Sequence, residues 1–576
     1  MKFILYDFEV YKHDWLVVFK EPSKEHTVIY NDTEKLKGFF NQHKNNIFVG
    51  FNNRHYDDYI LKAILSDINP KVVNDWIIRD EKKGWEFPNL NGIYFLSLDL
   101  RSDIPGGIGL SLKEIESNLG LNIEESSVPF DIDRKLTLEE IKDTEFYCKH
   151  DVDATEQLYY QRFDYIKSKL QIINAFKLPI RCISMTNAQL TAEVMGARKR
   201  KYYDENIYDM PDCVDVKDAE VLRFFENPQD ATRHLEKDIC SVPHTIAYGG
   251  LHGAIEKFHS KGQLYNFDVS SYYPSMIIKF NFMSRNVPDK NKPLYKKIRD
   301  DRFVYKKEGN SLADAYKLIL NTLFGAMGYI YNKLYDLKMN RQVCITGQLL
   351  LIDLLEKLKP YIKLIQSNTD GILFQIENEE NLDIARKIIK QWEEKTGLQM
   401  EEDTVEEIYQ KDVNNYIMLE KNGDIKTKGG YVKNYSIKKG KERFGNYVSN
   451  SMTIIDEAIV KNLLYKTPVE DTIFECNDPI RFQITTKKGP TYKRVVWEVD
   501  GKEIDTNNVN RVFASGDEKY GKLIKIKQNG RRDTIASLPE HCLVYNDDLI
   551  NFDINLIDKY WYVREAKNRI KDFIGG

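Results

Sequence analysis

Hydrophobic and polar positions alternate along the first hundred residues. The runs KFILYDFEV, WLVVF, HTVIY and NIFVGF combine β-branched and aromatic residues with a period of two, which predicts strands. A helix is predicted near Tyr56, then a strand in GIYFLSLDL, a helix in SLKEIESNLG, and a long helix from about Leu138 to Leu170. Strands that alternate with helices indicate a mixed α/β domain over about residues 1–165.

The pattern changes near residue 246. Residues 170–245 have mostly helical spacing. The segment AYGGLHGA then predicts a glycine-rich turn, and a strand, a turn and a helix follow around Asp268. We predict a helix pair over residues 294–358 and a hairpin over residues 362–376.

Length and composition indicate several globular domains. A chain of 576 residues exceeds what one hydrophobic core holds. Residues 431–576 mix short strands and helices, which indicates one or two small modules, closed by the amphipathic helix WYVREAKNRIKDFI. No run of 18 apolar residues predicts a membrane span, and the stretch MKFILYDFEVYK turns acidic too early for a signal peptide. Seven cysteines without a C-x-x-C pair favour a reducing, intracellular compartment.

The net charge of −4 does not by itself indicate a nucleic-acid-binding protein. Three stretches are nevertheless locally basic and contain tyrosine or phenylalanine: Lys292–Lys307, Lys426–Arg443 and Lys519–Arg532. One such cluster is usually a solvated face, whereas three in one chain favour a surface that follows phosphates.

Four carboxylates form the first candidate site. Asp7 and Glu9 lie two apart in a strand and therefore project from the same face. Asp57 begins a predicted helix, and Asp151 follows Tyr147 by one helical turn. Clustered carboxylates repel each other unless cations neutralise them, and two divalent ions can activate a water for phosphodiester hydrolysis, with Tyr147 orienting that water. Taken singly, D-x-E is common and an aspartate at a helix start is ordinary capping.

Two aspartates form the second candidate site. In YNFDVSSYYPSM, an apolar strand ends at Asp268, and in KLIQSNTDGILFQI, the tip of a hairpin carries Asp370. Taken singly, the first segment is equally typical of a corner between a strand and a helix, and the second of a hairpin turn, since Asp-Gly is a favoured turn pair. Two aspartates that hold Mg²⁺ would suit phosphoryl transfer, which depends on positioning and charge neutralisation.

Cations and an amide lie between these two segments on predicted helices. Lys317, Asn321 and Phe324 are spaced i, i+4, i+7 and therefore share one helix face. Arg302 and Lys306 are also spaced i, i+4. A lysine on such a face is unusual for a core, and the three cations together could clamp a triphosphate.

The first site resembles the three motifs of DnaQ-like proofreading exonucleases: D-x-E, N-x-x-(F/Y)-D and Y-x-x-x-D. The corresponding residues are Asp7 and Glu9, then Asn53, Tyr56 and Asp57, then Tyr147 and Asp151. The resemblance implies that Asn53 and Tyr56 bind the single-stranded 3′ end. Lys113 in SLKEI stands where related phage enzymes carry a catalytic lysine, and a plain surface lysine is the alternative.

The second site resembles the motifs of family B DNA polymerases. DVSSYYPS is similar to motif A (D-x-x-S-L-Y-P-S), KLILNTLFG to motif B (K-x-x-x-N-S-x-Y-G) and SNTDG to motif C (D-T-D-S). The resemblance implies that Asp268 and Asp370 bind metal with the Val269 carbonyl, and that Tyr273 excludes ribonucleotides. The implied nucleotide-binding residues are Arg302, Lys306, Lys317, Asn321, Tyr273, Ser271 and Phe324. The implied DNA-binding residues are Asn53, Tyr56, Tyr248, Gly249, Gly250, Tyr416, Lys426 and Lys428.

The chain departs from the family motifs at several positions. Motif C has Asn368 where most relatives have aspartate, so one acidic group is lost, although an amide oxygen still accepts hydrogen bonds. Motif B has Phe324 instead of tyrosine. The K-x-Y motif appears as N-N-Y ending at Tyr416, so we expect Lys426 and Lys428 to bind the primer strand. The tyrosine of YxGG is displaced by one position, to Tyr248.

The resemblances imply a multidomain α/β and α+β protein, in which an RNase H-like exonuclease domain precedes a right-hand polymerase with a ferredoxin-like palm. The implied domains are the exonuclease (1–165), a helical linker (166–245), the palm (246–290 and 359–430), the fingers (291–358), and the thumb with a C-terminal extension (431–576).

The implied function is that of a compact, phage-type DNA-dependent DNA polymerase that proofreads in the 3′→5′ direction, with two Mg²⁺ or Mn²⁺ ions at each active site. The implied partners are primer–template DNA and dNTPs, with helicase, single-strand-binding or clamp proteins as further candidates. Only 49 positions separate Asp268 from Lys317, and 45 separate Gly325 from Asp370, which argues against protein priming and strong strand displacement. We expect a monomer in the cytoplasm of a bacterial host, without a membrane partner.

Three alternatives remain. The first is an exonuclease whose polymerase half has decayed, which only Asn368 favours. The second is a non-catalytic DNA-binding replication accessory protein, which the four retained carboxylates argue against. The third is a primed RNA polymerase or reverse transcriptase, and Tyr273 argues against the use of ribonucleotides.

Overall fold

The computed structural model describes residues 1–90, 92–106, 109–226 and 232–575. Their β-strands are β1 (Phe3–Val10), β2 (Trp15–Lys20), β3 (His26–Tyr30), β4 (Ile47–Gly50), β5 (Leu96–Asp99), β6 (His234–Ile239), β7 (Val242–Ala247), β8 (Gly250–Ala254), β9 (Phe258–Val269), β10 (Lys363–Asn368), β11 (Gly371–Gln375), β12 (Met400–Asp412), β13 (Asn415–Glu420), β14 (Ile425–Lys428), β15 (Ser436–Lys438), β16 (Lys441–Arg443), β17 (Ile484–Lys487), β18 (Tyr492–Val499), β19 (Lys502–Thr506), β20 (Val509–Ala514), β21 (Tyr520–Lys527), β22 (Arg532–Thr534) and β23 (Cys542–Val544).

The α-helices of the described residues are α1 (Thr33–His43), α2 (Asp57–Leu65), α3 (Pro70–Asn74), α4 (Leu112–Leu119), α5 (Leu138–Gln161), α6 (Phe163–Ala175), α7 (Asn187–Val194), α8 (Ala219–Glu226), α9 (Tyr272–Lys279), α10 (Lys292–Lys307), α11 (Leu312–Met327), α12 (Leu337–Leu358), α13 (Glu379–Thr396), α14 (Thr453–Tyr465), α15 (Val469–Glu475) and α16 (Lys559–Ile574). None of these described helices is both long and apolar enough to cross a membrane.

The described chain forms two compact units. Unit 1 consists of residues 1–186, 445–452 and 476–562, and unit 2 consists of residues 187–444, 453–475 and 563–575. The region 431–576, predicted as thumb and C-terminal extension, therefore contributes to both units.

Unit 1 is built on a five-stranded mixed sheet in the order β3-β2-β1-β4-β5. Strand β1 is antiparallel to β2 and parallel to β4, and the largely apolar β1 and β4 are buried along most of their length. Aromatic side chains, among them Tyr6, Phe8, Phe19 and Phe48, fill its core. A three-stranded sheet (β17-β20-β23) and a four-stranded sheet (β19-β18-β21-β22) complete the unit.

Unit 2 contains an eleven-stranded sheet in the order β16-β15-β14-β13-β12-β9-β11-β10-β8-β7-β6. In its centre, β9, the helices α9 to α12, β10, β11, α13 and β12 follow one another as β-α-β-β-α-β. The predicted hairpin is confirmed as β10 and β11, which pair from Asn368 and Gly371 outwards. This hairpin places its tip beside the end of β9, because Gly371 pairs with Asp268.

The structure differs from the predicted elements at three places. The long helix is divided at Arg162 into α5 and α6, where the backbone leaves the helical region (φ −103°, ψ 13°) and the buried side chain donates to the carbonyls of Ser102 (2.8 Å) and Leu100. The predicted helix pair, with its break expected near Gly325 and Gly328, consists of three helices, α10 to α12. The chain leaves the helical path after Met327, as expected, and also between Lys307 and Leu312, where Gly309 has a left-handed backbone (φ 68°).

The region 170–245 is only partly helical, whereas its spacing predicted mostly helices. Its end forms β6 and β7, which pair with each other and extend the sheet through β8. Strand β6 lies at the sheet edge with an exposed–half-buried alternation, so its polar sequence carries little apolar signal. The glycine-rich segment after it turns only at Tyr248 and Gly249 and then continues as β8.

Candidate functional site

The predicted acidic site lies in unit 1, along the central strand β1. Asp7 and Glu9 pair with Val18 and Leu16 of β2, and their spacing of two places both carboxylates on one face of the sheet. Asp57, the first residue of α2, accepts a hydrogen bond from the Phe8 backbone N–H at 3.1 Å. This bond attaches the start of α2 to β1 and brings the third carboxylate to the first two.

Helices α4 and α5 complete the acidic site. Lys113 in α4 donates to Asp151 Oδ1 in α5 at 2.5 Å and to Glu116 Oε1 at 3.1 Å. Its Nζ also lies 4.7 Å from the ring centroid of Tyr147. Burial lowers the pKa of Lys113, but Asp151 and Glu116 raise it by more, so the side chain is a fixed cation. The structure therefore brings the predicted residues Lys113, Tyr147 and Asp151 together.

Burial and mutual repulsion oppose ionisation of these carboxylates. Burial, followed by the charge of Asp151, raises the pKa of Asp7 to about 8. Burial, followed by the charge of Asp7, raises the pKa values of Glu9 and Asp57 well above their ordinary range. A bound cation favours the ionised form of such groups, which is the electrostatic behaviour expected of a metal site.

The donor atoms in unit 1 fit a hard divalent cation. Asp7, Glu9 and Cys148 each offer a ligand atom within 4.8 Å of the other two. Carboxylate oxygens are preferred by Mg²⁺, whereas burial raises the pKa of the Cys148 thiol and keeps it protonated, so the two carboxylates are the ligands that fit. A second group has ligand atoms that also lie within 4.8 Å of one another, and it consists of Glu116, His150 and Asp151.

A cleft of about 720 Å³ opens beside Asp7, Glu9, Asp57 and Asp151. Its lining includes two exposed apolar side chains, Ile78 (62 % exposed) and Phe130 (48 % exposed), together with the cations Lys12, Lys71 and Arg79. Exposed apolar faces suit the stacking of unpaired bases. The three cations are each paired with an aspartate, Lys12 with Asp133 and both Lys71 and Arg79 with Asp75, so they add little free charge. These lining residues come from separate segments without a shared motif, so the sequence did not indicate them.

Two predicted DNA-contacting residues differ in exposure. Tyr56 lines the cleft and donates its hydroxyl to Asn74 Oδ1 at 2.7 Å. Asn53 is fully buried instead, where it donates to Asp58 Oδ1 (3.0 Å) and Ser97 Oγ (2.9 Å). In this structure Asn53 fixes the turn before α2, and its contact with DNA stays a prediction.

The predicted aspartate site lies in unit 2, where β9 meets the hairpin. Asp268 pairs with Gly371, and the Val269 N–H donates to the Asp370 carbonyl at 2.8 Å. A β-carbon at Gly371 would overlap the Asp268 carboxylate. The two predicted aspartates are therefore neighbours because strand pairing requires it, with a glycine leaving room for one of them.

Carboxylates that the motifs do not contain also lie on this face. Glu401 pairs with Asp268 across β9 and β12, and Asp403 pairs with Asn266, which donates to Asp268 Oδ2 at 2.7 Å. Burial, opposed by the Asn266 hydrogen bond and reinforced by the charge of Asp370, raises the pKa of Asp268 to about 6. Burial also raises the pKa of Asp370. The pair fits a divalent cation, and only strand register could have identified Glu401 and Asp403.

The residue that departs from motif C is held by a histidine. Asn368 Oδ1 lies 3.0 Å from His252 Nδ1, and β8 and β10 pair at these two positions. The next residue, Thr369, has a left-handed backbone (φ 48°), which is costly for a β-branched side chain, and its N–H donates to the Leu251 carbonyl at 3.0 Å. The tip is thus held by β8, the strand that continues the glycine-rich turn.

The predicted nucleotide-binding residues lie on α9, α10 and α11, except Ser271, which directly precedes α9. The ring of Tyr273 stacks on that of Phe324, with centroids 4.1 Å apart. Arg302 donates to Ser271 Oγ at 3.3 Å, while its Nε has no hydrogen-bond partner among the described residues. Three of the predicted nucleotide-binding residues are exposed and have no polar side-chain partner in the described chain: Lys306, Lys317 and Asn321. The first two offer unneutralised charge.

Of the predicted DNA-binding residues in unit 2, three lie near the aspartates. Tyr416 pairs with Lys428, whose Nζ lies 5.9 Å from the tyrosine ring centroid. Lys426 forms an ion pair with Glu420 and lies 3.8 Å from Asp403, so its charge is largely neutralised in this structure. Tyr248 is buried instead, and its hydroxyl donates to the Phe224 carbonyl at 3.1 Å. Its neighbour Gly249 is exposed and Gly250 is buried. The DNA contacts of this segment stay predictions.

Many cations of the three basic stretches are paired with acids. Lys297 pairs with Asp301 at 2.7 Å, and Lys527 pairs with Asp533 at 3.0 Å. Such neutralised lysines offer little charge to a phosphate backbone, so the stretches are less basic than their composition indicates.

A basic strip in unit 2, Arg198 to Lys201, was missed. All four side chains are exposed, and Asn286 holds the strip, since its carbonyl accepts from Arg198 N (2.9 Å) and its Oδ1 from Arg200 N (3.0 Å). Lys199 donates to the Ile330 carbonyl, beside the exposed rings of Tyr329 and Tyr331. The sequence signal, four consecutive cations, was visible.

Comparison with known proteins gives matches among solved structures but none by sequence. No family model matches the chain, and no curated protein matches it. Among solved structures, the chain is similar to the family B DNA polymerase from the hyperthermophilic archaeon Pyrobaculum calidifontis, with 13 % sequence identity and a TM-score of 0.41 over 100 % of this chain and 78 % of that one. Values this low carry no conclusion about function.

Proposed function

We propose that this protein is a DNA-dependent DNA polymerase with its own 3′→5′ exonuclease, the two activities lying in unit 2 and unit 1. The observation that carries the proposal is the pairing of Asp268 with Gly371, which places Asp268 and Asp370 together at the strand ends. The β-α-β-β-α-β order of the surrounding elements, with β12-β9-β11-β10 in space, is that of ferredoxin-like folds and supports a polymerase palm.

In nucleotidyl transfer the primer 3′-hydroxyl attacks the α-phosphorus of a dNTP, and pyrophosphate leaves. Asp268, Asp370 and the Val269 carbonyl would hold two Mg²⁺ or Mn²⁺ ions, which supply charge neutralisation at the attacking and leaving oxygens. Lys306, Lys317 and Arg302 bind the triphosphate from the other side. Their charges are available for this, because no described acid pairs with them.

Nucleotide selection falls to the stacked pair of Tyr273 and Phe324. Tyr273 lies under the sugar of the bound nucleotide, where its ring occupies the space that a 2′-hydroxyl needs. Phe324 fixes the ring of Tyr273 through the 4.1 Å stack, and Asn321, one turn earlier on α11, supports the nucleotide pocket. Gly249, Gly250, Tyr416, Lys426 and Lys428 bind the template and primer strands.

In the exonuclease the residues of unit 1 cleave the terminal phosphodiester of an unpaired 3′ end. Asp7, Glu9, Asp57 and Asp151 would hold the metal ions, which supply an activated water. Tyr147 orients that water, Lys113 neutralises charge on the scissile phosphate, and Tyr56 with Asn53 positions the strand. The buried carboxylates with raised pKa values support this assignment.

The wider role follows from the same assignment. We infer that the protein replicates phage or mobile-element DNA in the cytoplasm of a bacterial host, as a monomer, from a nucleic-acid primer, and with separate helicase, single-strand-binding or clamp proteins. In this proposal the chain is divided into exonuclease (1–165), helical linker (166–245), palm (246–290 and 359–430), fingers (291–358), and thumb with C-terminal extension (431–576). The three helices α10 to α12 would form the fingers.

Primer extension tests the proposal. A 5′-labelled DNA primer on a longer DNA template is incubated with Mg²⁺, with or without dNTPs, for the wild type, Asp370→Ala and Asp7→Ala. We expect the wild type to extend with dNTPs and to shorten the primer without them, and each variant to lose only its own activity. The activity that each variant retains shows that the variant is folded.

The alternative outcomes separate the competing functions. A wild type that only shortens the primer would mean that Asn368 has removed polymerase chemistry and would leave an exonuclease. A wild type that binds DNA but neither extends nor shortens it would leave a binding protein. Extension with ribonucleotides as efficient as with dNTPs would contradict the role of Tyr273.

A further inference from the structure

The helix that carries Lys113 is enclosed by a part of unit 1 that is distant in sequence. We call residues 445–452 and 476–562, which include β17 to β23, the β module. Ser117 of α4 bonds Thr485 Oγ1 at 2.8 Å, and the Gly120 carbonyl after the helix accepts from the Leu549 N–H at 3.2 Å. More than 300 residues of chain thus separate α4 from its contacts in the β module.

The C-terminal end of α4 is held by a buried arginine of the β module. Arg511 is fully buried, and its guanidinium donates to the carbonyls of Leu121 (2.6 Å), Ser117 (3.4 Å) and Asp547 (2.7 Å) and to Gln483 Oε1 (2.9 Å). Burial lowers the pKa of Arg511 to about 10, which still leaves it charged at neutral pH. A cation that binds the last carbonyls of a helix stabilises that helix end.

The N-terminal end of α4 is held by a lysine of the β module. Lys487 donates to Glu114 Oε2 at 2.7 Å and to the Gly109 carbonyl at 2.9 Å. The same Glu114 oxygen accepts from the N–H and the hydroxyl of Ser111, the residue that caps α4. Lys487 thus fixes the capping box in which Lys113 is the second helical residue.

Between these two ends, Lys113 has little freedom. Its ammonium is shared between Asp151 and Glu116, and Glu116 is fully buried on α4 itself. A shift of α4 would therefore move Lys113 and its second acceptor together, away from Asp151. In an enzyme site, a displacement of about 1 Å can cost 100-fold in rate.

We propose that the β module is a positioning element of the exonuclease site, in which Lys487 and Arg511 act through α4 to hold Lys113 against Asp151. This inference rests on the proposed exonuclease function and assigns the module a role other than that of a thumb. Lys487 and Arg511 are positioning residues, since neither contacts the carboxylates of the site.

The decisive variant is Lys487→Met, because Lys487 is exposed enough for its loss to leave the fold intact. The readouts are the single-turnover degradation rate of single-stranded DNA with Mg²⁺ and, separately, the dissociation constant for that DNA. We expect a rate loss of about 10-fold or more with affinity unchanged within about twofold, and recovery in Lys487→Arg. The matched control is Lys488→Met, because among the described residues the Lys488 ammonium donates to the Lys493 carbonyl of the same module (3.2 Å) and to no residue of α4.

A double-mutant cycle with Lys113→Ala distinguishes positioning from general damage. If Lys487 acts through Lys113, then Lys487→Met costs nothing further in the Lys113→Ala background, and the same holds for Arg511→Gln. Additive losses, a Lys487→Met rate equal to wild type, or a Lys113→Ala rate equal to wild type would each overturn the inference. Absence of degradation by the wild type would instead refute the exonuclease proposal itself, and dNTP incorporation reports the integrity of each variant.

Discussion

Gly371→Ala tests the geometry on which the polymerase assignment depends. Gly371 faces Asp268 across the β9–β11 pair, and its backbone is in a conformation that any residue adopts. The added methyl group would overlap the Asp268 carboxylate and lie 3.3 Å from the Phe267 carbonyl oxygen. The effect of the substitution is therefore steric, and it acts on one side chain of the proposed site.

The size of the effect follows from the overlap. The carboxylate oxygen must retreat by roughly 1.5 Å to restore an ordinary carbon–oxygen contact, and a displacement of only about 1 Å already costs on the order of 100-fold in rate. We expect single-nucleotide incorporation to slow by about that factor, with a smaller change in dNTP affinity. The assay is rapid-quench incorporation of one dNTP on a primer–template, with exonuclease activity removed by Asp7→Ala.

The matched control is Gly430→Ala, because the added methyl group meets no described atom within 4 Å there. We expect this variant to incorporate dNTPs like the wild type. If Gly371→Ala were equally active, Asp268 would not need the position that strand pairing gives it, and the reasoning that joins Asp268 to Asp370 would fail.

Three further outcomes are expected. Burial raises the pKa of Asp456 to about 7, so folding stability should fall by up to about 1.4 kcal/mol per pH unit as pH rises from about 4 to 7. The urea midpoint of unfolding, measured across this range, should depend less on pH in Asp456→Asn than in the wild type. The same pH dependence in both proteins would contradict the burial argument. The double variant Arg200→Gln, Lys201→Gln should bind DNA more weakly, and the slope of log affinity against log salt should fall in magnitude by about two. An unchanged affinity and slope would mean that the basic strip does not contact DNA. Asn368→Asp should raise incorporation if the missing acid limits catalysis, and equal rates would mean that the amide suffices.

Much of the local structure could be predicted from the sequence. Period-two runs predicted β1 to β5, and the Asp-Gly pair predicted the hairpin whose tip carries Asp370. Spacing on one helix face placed Lys317, Asn321 and Phe324 together on α11. These features depend on neighbours within a few residues, so the local alternation of apolar and polar residues is sufficient to indicate them.

Other features were decided only by tertiary structure. Strand β6 has a polar sequence, because it lies at the edge of the sheet beside β7, so its pattern carries no strong signal. The register that brings Glu401 opposite Asp268 depends on pairing across more than 130 residues. The enclosure of α4 was also decided by tertiary structure. A buried arginine is stable only where its donors are satisfied, and Arg511 donates to the carbonyl of Leu121, which is distant in sequence, and to that of Asp547. Composition and spacing do not indicate such a contact.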